Sequence, residues 1–102
     1  MSEKLLKIIN HYGIKNQVKK FNEETFELIE AIIQFEDDFY YLLEPEGIEI
    51  SKEHIAEEIA DCYVLLEQIR LKYDIYLKEV AKIGRYKIDR QLKRMEKEKN
   101  GK

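Results

Sequence analysis

One proline and four glycines in 102 residues leave little chain-breaking chemistry, and no stretch alternates apolar and polar residues as a half-buried strand does. A β-rich fold is excluded on both counts. The lone Cys62 rules out an intrachain disulfide framework and a multi-cysteine zinc site. The longest apolar runs, Phe39 to Leu43 and Cys62 to Leu66, are five residues each, far too short to span a bilayer. The first residues, MSEKLLKIINHYG, lack the continuous apolar core of a signal peptide. No glycine-rich phosphate loop and no Ser/His/Asp arrangement is present. Neither histidine follows a glutamate by three, since Ile8 precedes His11 and Ser51 precedes His54, so a ferritin-like di-iron bundle is excluded. The expectation is a soluble cytoplasmic protein.

What is present supports one domain. Hydrophobic residues make up 44% of the chain and charged ones 38%, enough for a single core across residues 1–102. At this length roughly two-thirds of the unfolded surface can be buried, so the domain is small and gains from association. The net charge of −3 is unevenly spread. Residues 78–102 hold ten Lys or Arg against four acids, a net of +6, while residues 1–77 hold eight against seventeen, a net of −9. Such a division suits two solvated helix faces, or a metal-binding region facing a phosphate-binding one.

Four helical segments can be traced, and the fold class is all-α. Leu5, Leu6, Ile8, Ile9 and Tyr12 recur at helical spacing between a capping Ser2 and a stop at Gly13. A long second helix is predicted from about Lys15 to Leu43, with a seam of Val18, Phe21, Thr25, Leu28, Ile32, Phe35, Phe39 and Leu42. Phe26, Ile29 and Ile33 form a second apolar stripe beside it, and burial on two sides in so short a chain points to a partner subunit. Pro45 and Gly47 mark the strongest break. A third helix is predicted after Ser51 as cap, with a core stripe of Ile55, Ile59, Cys62, Leu66, Ile69 and Tyr73. A weaker break near Asp74 opens a fourth helix through Leu77, Val80, Gly84, Ile88, Leu92 and Met95, polar and frayed from about Lys97.

The acids carry the chemistry. Glu24 and Glu27 on the second helix flank its seam beside Gln17 and Lys20, and Glu58 and Asp61 flank the stripe of the third. Residues three apart lie about 60° apart around a helix and can share a cation. Spacing alone is weak, because roughly four such acidic pairs arise by chance at this composition, and four are found. Position separates two of them from a solvated acidic face: carboxylates next to a core repel one another and are costly without a cation. An oxygen-only ligand set favours Mg²⁺ or Mn²⁺ over zinc.

The stretch from Gly13 to Leu28, with Glu24-Thr-Phe-Glu27 at its end, followed by Glu58-Ile-Ala-Asp61, resembles the MazG-like all-α nucleoside triphosphate pyrophosphohydrolases. Their signature is Glu-x-x-Glu on one helix and Glu-x-x-Asp on the next. The resemblance covers roughly residues 13–95 and implies a four-helix MazG-like bundle completed by oligomerisation, as a homodimer or homotetramer. It implies that Glu24, Glu27, Glu58 and Asp61 are metal ligands and catalytic residues, with Mg²⁺ as cofactor. The implied reaction splits a nucleoside triphosphate between the α and β phosphates into monophosphate and pyrophosphate. One departure stands out: thirty residues separate Glu27 from Glu58, more than in compact members of the family.

Other residues have competing readings. Lys87-Ile-Asp-Arg90 resembles the stretch that contacts triphosphate in that family; the alternative is a solvated basic helix end. Lys20 is a candidate for phosphate and Gln17 for nucleotide contact. Nucleic-acid binding is disfavoured by the acidic remainder of the chain. His54, one turn before Glu58, reads as a surface histidine with a place in the metal shell as the alternative, and Cys62 as a buried structural thiol. The rival class is a non-catalytic helical interaction module that keeps the fold without turnover.

Overall fold

The first turn of the chain is made by a glycine that belongs to two helices. Gly13 ends α1 (Ser2–Tyr12) and caps α2 (Ile14–Gln34), with φ 88° and ψ 151°. Its N–H donates to the Ile9 carbonyl at 2.8 Å, and its own carbonyl accepts from the Gln17 N–H at 3.1 Å. That backbone conformation is open essentially to glycine alone, and no atom lies within 4 Å of where a Cβ would stand. The requirement is purely conformational. This computed structural model describes residues 2–36 and 45–101, and the side chains of all of these except 45–51. The predicted seam positions Phe39 and Leu42 lie outside the described residues.

Pro45 starts a helix where the sequence suggested only a break. α3 runs Pro45–Lys72, so it begins six residues before Ser51, which lies inside it. Proline suits a first helical turn, where its missing N–H has no partner to lose and its φ is already set. α4 follows as Leu77–Asn100, capped by Gly101, and passes Lys97 without a break. The described residues are all helix and turn, with no strand, and no helix among them is long and apolar enough to cross a membrane.

α2 and α3 form the main packed pair, with α1 laid chiefly against α3. Contacts run in opposite chain directions: Gln17 meets Gln68, Glu24 faces Asp61 across one cavity, and Gln34 shares another with His54. The pair is antiparallel. Leu5, Ile9, Ala31, Cys62 and Leu65 are the buried apolar residues, joined by the buried amides Gln17 and Gln68. Cys62 is a free, buried thiol.

The buried faces are turned from the predicted seams. On α2, Val18 and Ile32 are exposed while Gln17 and Ala31 are buried and Glu24 is half-buried. On α3, Ile59, Leu66 and Tyr73 are exposed, Ile55 and Ile69 of the predicted stripe are half-buried and Cys62 is buried, and Leu65 and Gln68 join it. Both helices are rotated in the same sense, by roughly 60° at 100° per residue. Glu24 and Glu58 are therefore half-buried between the helices, while Glu27 and Asp61 remain exposed at the edge of the pair. α3 carries apolar residues nearly all round, so periodicity does not choose its face; the matching polar groups across the pair do.

The α3–α4 elbow is hydrogen-bonded throughout. Asp74 has φ 55°, the Ile75 N–H donates to the Arg70 carbonyl and the Asp74 N–H to the Leu71 carbonyl, both at 3.1 Å. These are the two bonds of a Schellman motif. The Arg70 guanidinium then donates to the Ile75 carbonyl at 2.7 Å and grips Glu67 through two bonds of 2.8 and 2.9 Å. The Glu67 carboxyl is held below its ordinary value by this hydrogen-bonded partner. Past the elbow α4 projects from the body with no buried residue. The radius of gyration is 17.9 Å, against about 13 Å for a compact chain of this length.

Candidate metal centre

The antiparallel pairing of α2 and α3 brings acids from distant parts of the sequence together. One carboxylate oxygen each of Glu24, Glu27 and Glu58 lies within 4.8 Å of the others. Asp61 stands outside this trio, near enough for its charge to act on both Glu24 and Glu58. Glu24 Oε2 and Glu58 Oε2 are buried without a hydrogen-bond partner. A buried polar atom without a partner costs free energy, so these two oxygens are left unsatisfied.

Its electrostatics agree. The Glu24 carboxyl is held above its ordinary 4.5 by burial first, then by a hydrogen bond shared with Glu27 and the charges of Glu27, Asp61 and Glu58. The Glu58 carboxyl is raised by burial and by the charges of Glu27, Asp61 and Glu57, with His54 alone opposing. His54 borders a cavity of about 250 Å³ with Glu27, Glu30, Gln34 and Glu58. It is exposed, as a surface histidine is, and it borders the flank of the cluster. A divalent cation answers this arrangement: the donors are all carboxylate oxygens, the ligand type of Mg²⁺, Mn²⁺ or Ca²⁺.

A larger cavity of about 490 Å³ opens on the other side. Glu24 and Asp61 stand at its acidic end with Lys20, while Tyr12, Asn16, Gln17 and Gln68 line the rest. Gln17 is only 5% exposed and Gln68 only 2%, and the Gln17 Nε2 donates to Gln68 Oε1 at 2.8 Å. Asn16 is braced in turn by a 2.8 Å bond from its Nδ2 to the Tyr12 carbonyl. Gln17 is therefore a locked buried amide at the wall of the cavity, not a helix-flank residue. Gln68 was missed in the sequence, although it stands seven residues after Asp61, on the same face of α3.

Lys87 and Arg90 are not part of this assembly. Both are exposed on α4, the Arg90 guanidinium lies over the Tyr86 ring at 5.9 Å, and no α4 residue lines either cavity beside the carboxylates. Among the described residues, Lys20 is the one basic side chain that lines the larger cavity. No family model, no curated protein and no solved structure matches this chain.

Proposed function

We propose that the chain is a Mg²⁺-dependent nucleoside triphosphate pyrophosphohydrolase of the MazG-like all-α kind, converting an (d)NTP to its monophosphate and pyrophosphate and working as a homodimer or homotetramer. The observation that carries this reading is the pair of buried, unpartnered oxygens, Glu24 Oε2 and Glu58 Oε2, inside a three-carboxylate cluster whose Glu24 lines a cavity. Phosphoryl transfer needs positioning and charge neutralisation more than covalent chemistry. A bound Mg²⁺ supplies that charge and an acidified water.

The chain's own residues divide the remaining work. Glu24, Glu27 and Glu58 would hold the cation, and Asp61, at the edge of the trio, would add a fourth carboxylate. Lys20, on the same cavity wall as Glu24, pairs with phosphate. Gln17 and Gln68 form a fixed amide wall for the nucleoside end. Lys87 and Arg90 line neither cavity of their own chain, so a charge from α4 reaches the phosphates only from a second copy. Mn²⁺ substitutes for Mg²⁺ on the same oxygen ligands.

The test is phosphate release from a panel of nucleoside triphosphates with inorganic pyrophosphatase added, in Mg²⁺ and in EDTA. Release from at least one nucleotide, dependent on the metal and on the coupling enzyme, is the expected result. No release from any member leaves the chain as a helical interaction module without turnover.

A further inference from the structure

α4 is a helix of 24 residues without one buried side chain, yet Leu77, Val80, Ile88, Leu92 and Met95 run along one side of it, each about half exposed. A helix with its apolar stripe in water lacks a partner. α2 has the matching defect, since its outward residues Phe26, Ile29 and Ile33 are 62%, 49% and 53% exposed. The chain as a whole exposes 8910 Å², whereas a compact monomer of 12.3 kDa exposes about 6,100 Å². The surplus of about 2,800 Å² is over three times what each partner gives to a standard stable interface, and is on the scale of obligate homodimers.

The elbow keeps α4 from covering α2 in its own chain, because Arg70 and the Schellman bonds fix the exit direction. Charge then selects the occupant. Residues 78–102 are net +6 and residues 1–77 net −9, so each copy carries a basic apolar helix and an acidic body with an apolar face. A second copy of the chain satisfies both at once through a two-fold axis.

We infer that two copies exchange their fourth helices, each α4 lying along the Phe26–Ile33 face of the other copy's α2 and carrying Lys87 to the rim of that copy's carboxylate cluster. A cavity of about 430 Å³ lined by Asn22, Glu23, Phe26, Glu27 and Glu30 places one end of the apolar face, Phe26, beside one member of the cluster, Glu27. Lys87 borders the α4 stripe beside Ile88, whereas Arg90 lies further round the helix. The exchange stands on the surface and the elbow; the role of Lys87 rests on the pyrophosphohydrolase reading.

Two measurements separate these parts. Differently tagged Ile29→Cys and Ile88→Cys chains are co-expressed and treated with a short bis-maleimide, with each variant alone as control for the buried Cys62. A link joining the two tags, in a particle of at least two chain masses by sedimentation, is expected. A one-chain mass at micromolar concentration, or an assembled particle without that link, overturns the exchange. Glu58→Gln and Lys87→Ala chains are then co-expressed and assayed. Each alone is impaired, but a mixed dimer holds one site with both lesions and one with neither, so about a quarter of wild-type activity returns for random pairing across a two-fold axis. No return, with an active wild type, shows that Lys87 does not serve the partner's site. An inactive wild type overturns the catalytic reading and with it Lys87's role, while the cross-link still decides the exchange.

Discussion

Gln17 and Gln68, fifty-one residues apart, meet side chain to side chain in a 2.8 Å hydrogen bond between two buried amides. That bond fixes the register of α2 against α3, and through it the meeting of Glu24, Glu27 and Glu58. Replacing either glutamine by leucine leaves the other with a buried, unpaired amide, which costs about 1–3 kcal/mol. The double Leu variant should lose less than the sum of the two single losses. Urea unfolding of the four proteins gives the coupling; strict additivity would mean the amides act independently.

The carboxylate cluster makes opposite demands on stability and activity. Four acids near one another repel in the metal-free protein, so Glu58→Gln should leave the EDTA melting temperature unchanged or higher while abolishing turnover. Wild type at a hundredfold excess of Mg²⁺ over its Kd should gain about 2.7 kcal/mol, and Glu58→Gln far less. Asp61→Asn should follow the same pattern more weakly, since Asp61 lies outside the trio. Equal responses of all three proteins to Mg²⁺ would remove these residues from the ligand set.

Protonation gives a third test. Glu24 and Glu58 both titrate above the ordinary 4.5 in the folded chain, so the folded state binds more protons than the unfolded one between that value and the raised ones. Stability in EDTA should therefore fall as pH rises through this window, and gain nothing further below it from these two groups. Glu67 works the other way: its lowered value contributes stability above the ordinary range that is lost in acid. With saturating Mg²⁺, which binds the ionised carboxylates, the first trend should reverse. Chemical-denaturation midpoints from pH 4 to 8, with and without metal, read both slopes, and a flat EDTA profile counts against the cluster.

Gly13→Ala tests the first turn without touching the site. Nothing crowds a Cβ there, so any loss is the backbone's alone, about 1–3 kcal/mol for a residue forced into that region. A loss near zero would show that the α1–α2 junction relaxes to another conformation.

The helical class was legible because Gly13 and the residues around Asp74 interrupt otherwise continuous helical spacing. The meeting of the acids was legible in part: four were expected together, and Glu24, Glu27 and Glu58 converge while Asp61 stands outside the trio. The rotation of both helices was not. Val18, Ile32, Ile59 and Leu66 satisfy a helical stripe as well as the residues that are buried, and only the mutual satisfaction of Gln17 and Gln68 across the interface decides between the two faces. Pro45 was read as an end because proline stops a helix from its C-terminal side; the same ring geometry starts one.

The Arg70 elbow makes α4 a lever. Its 24 residues span about 36 Å, so a ten-degree change at the joint moves the far end by about 6 Å, more than a full helical turn. The apolar stripes say only that two helices fit; the joint angle says where the second must be. Whether an exchange of arms closes on itself after two subunits or passes on from copy to copy is a matter of that angle. The symmetry of such an exchange would be set by Glu67, Arg70 and Asp74, none of which lies on either stripe.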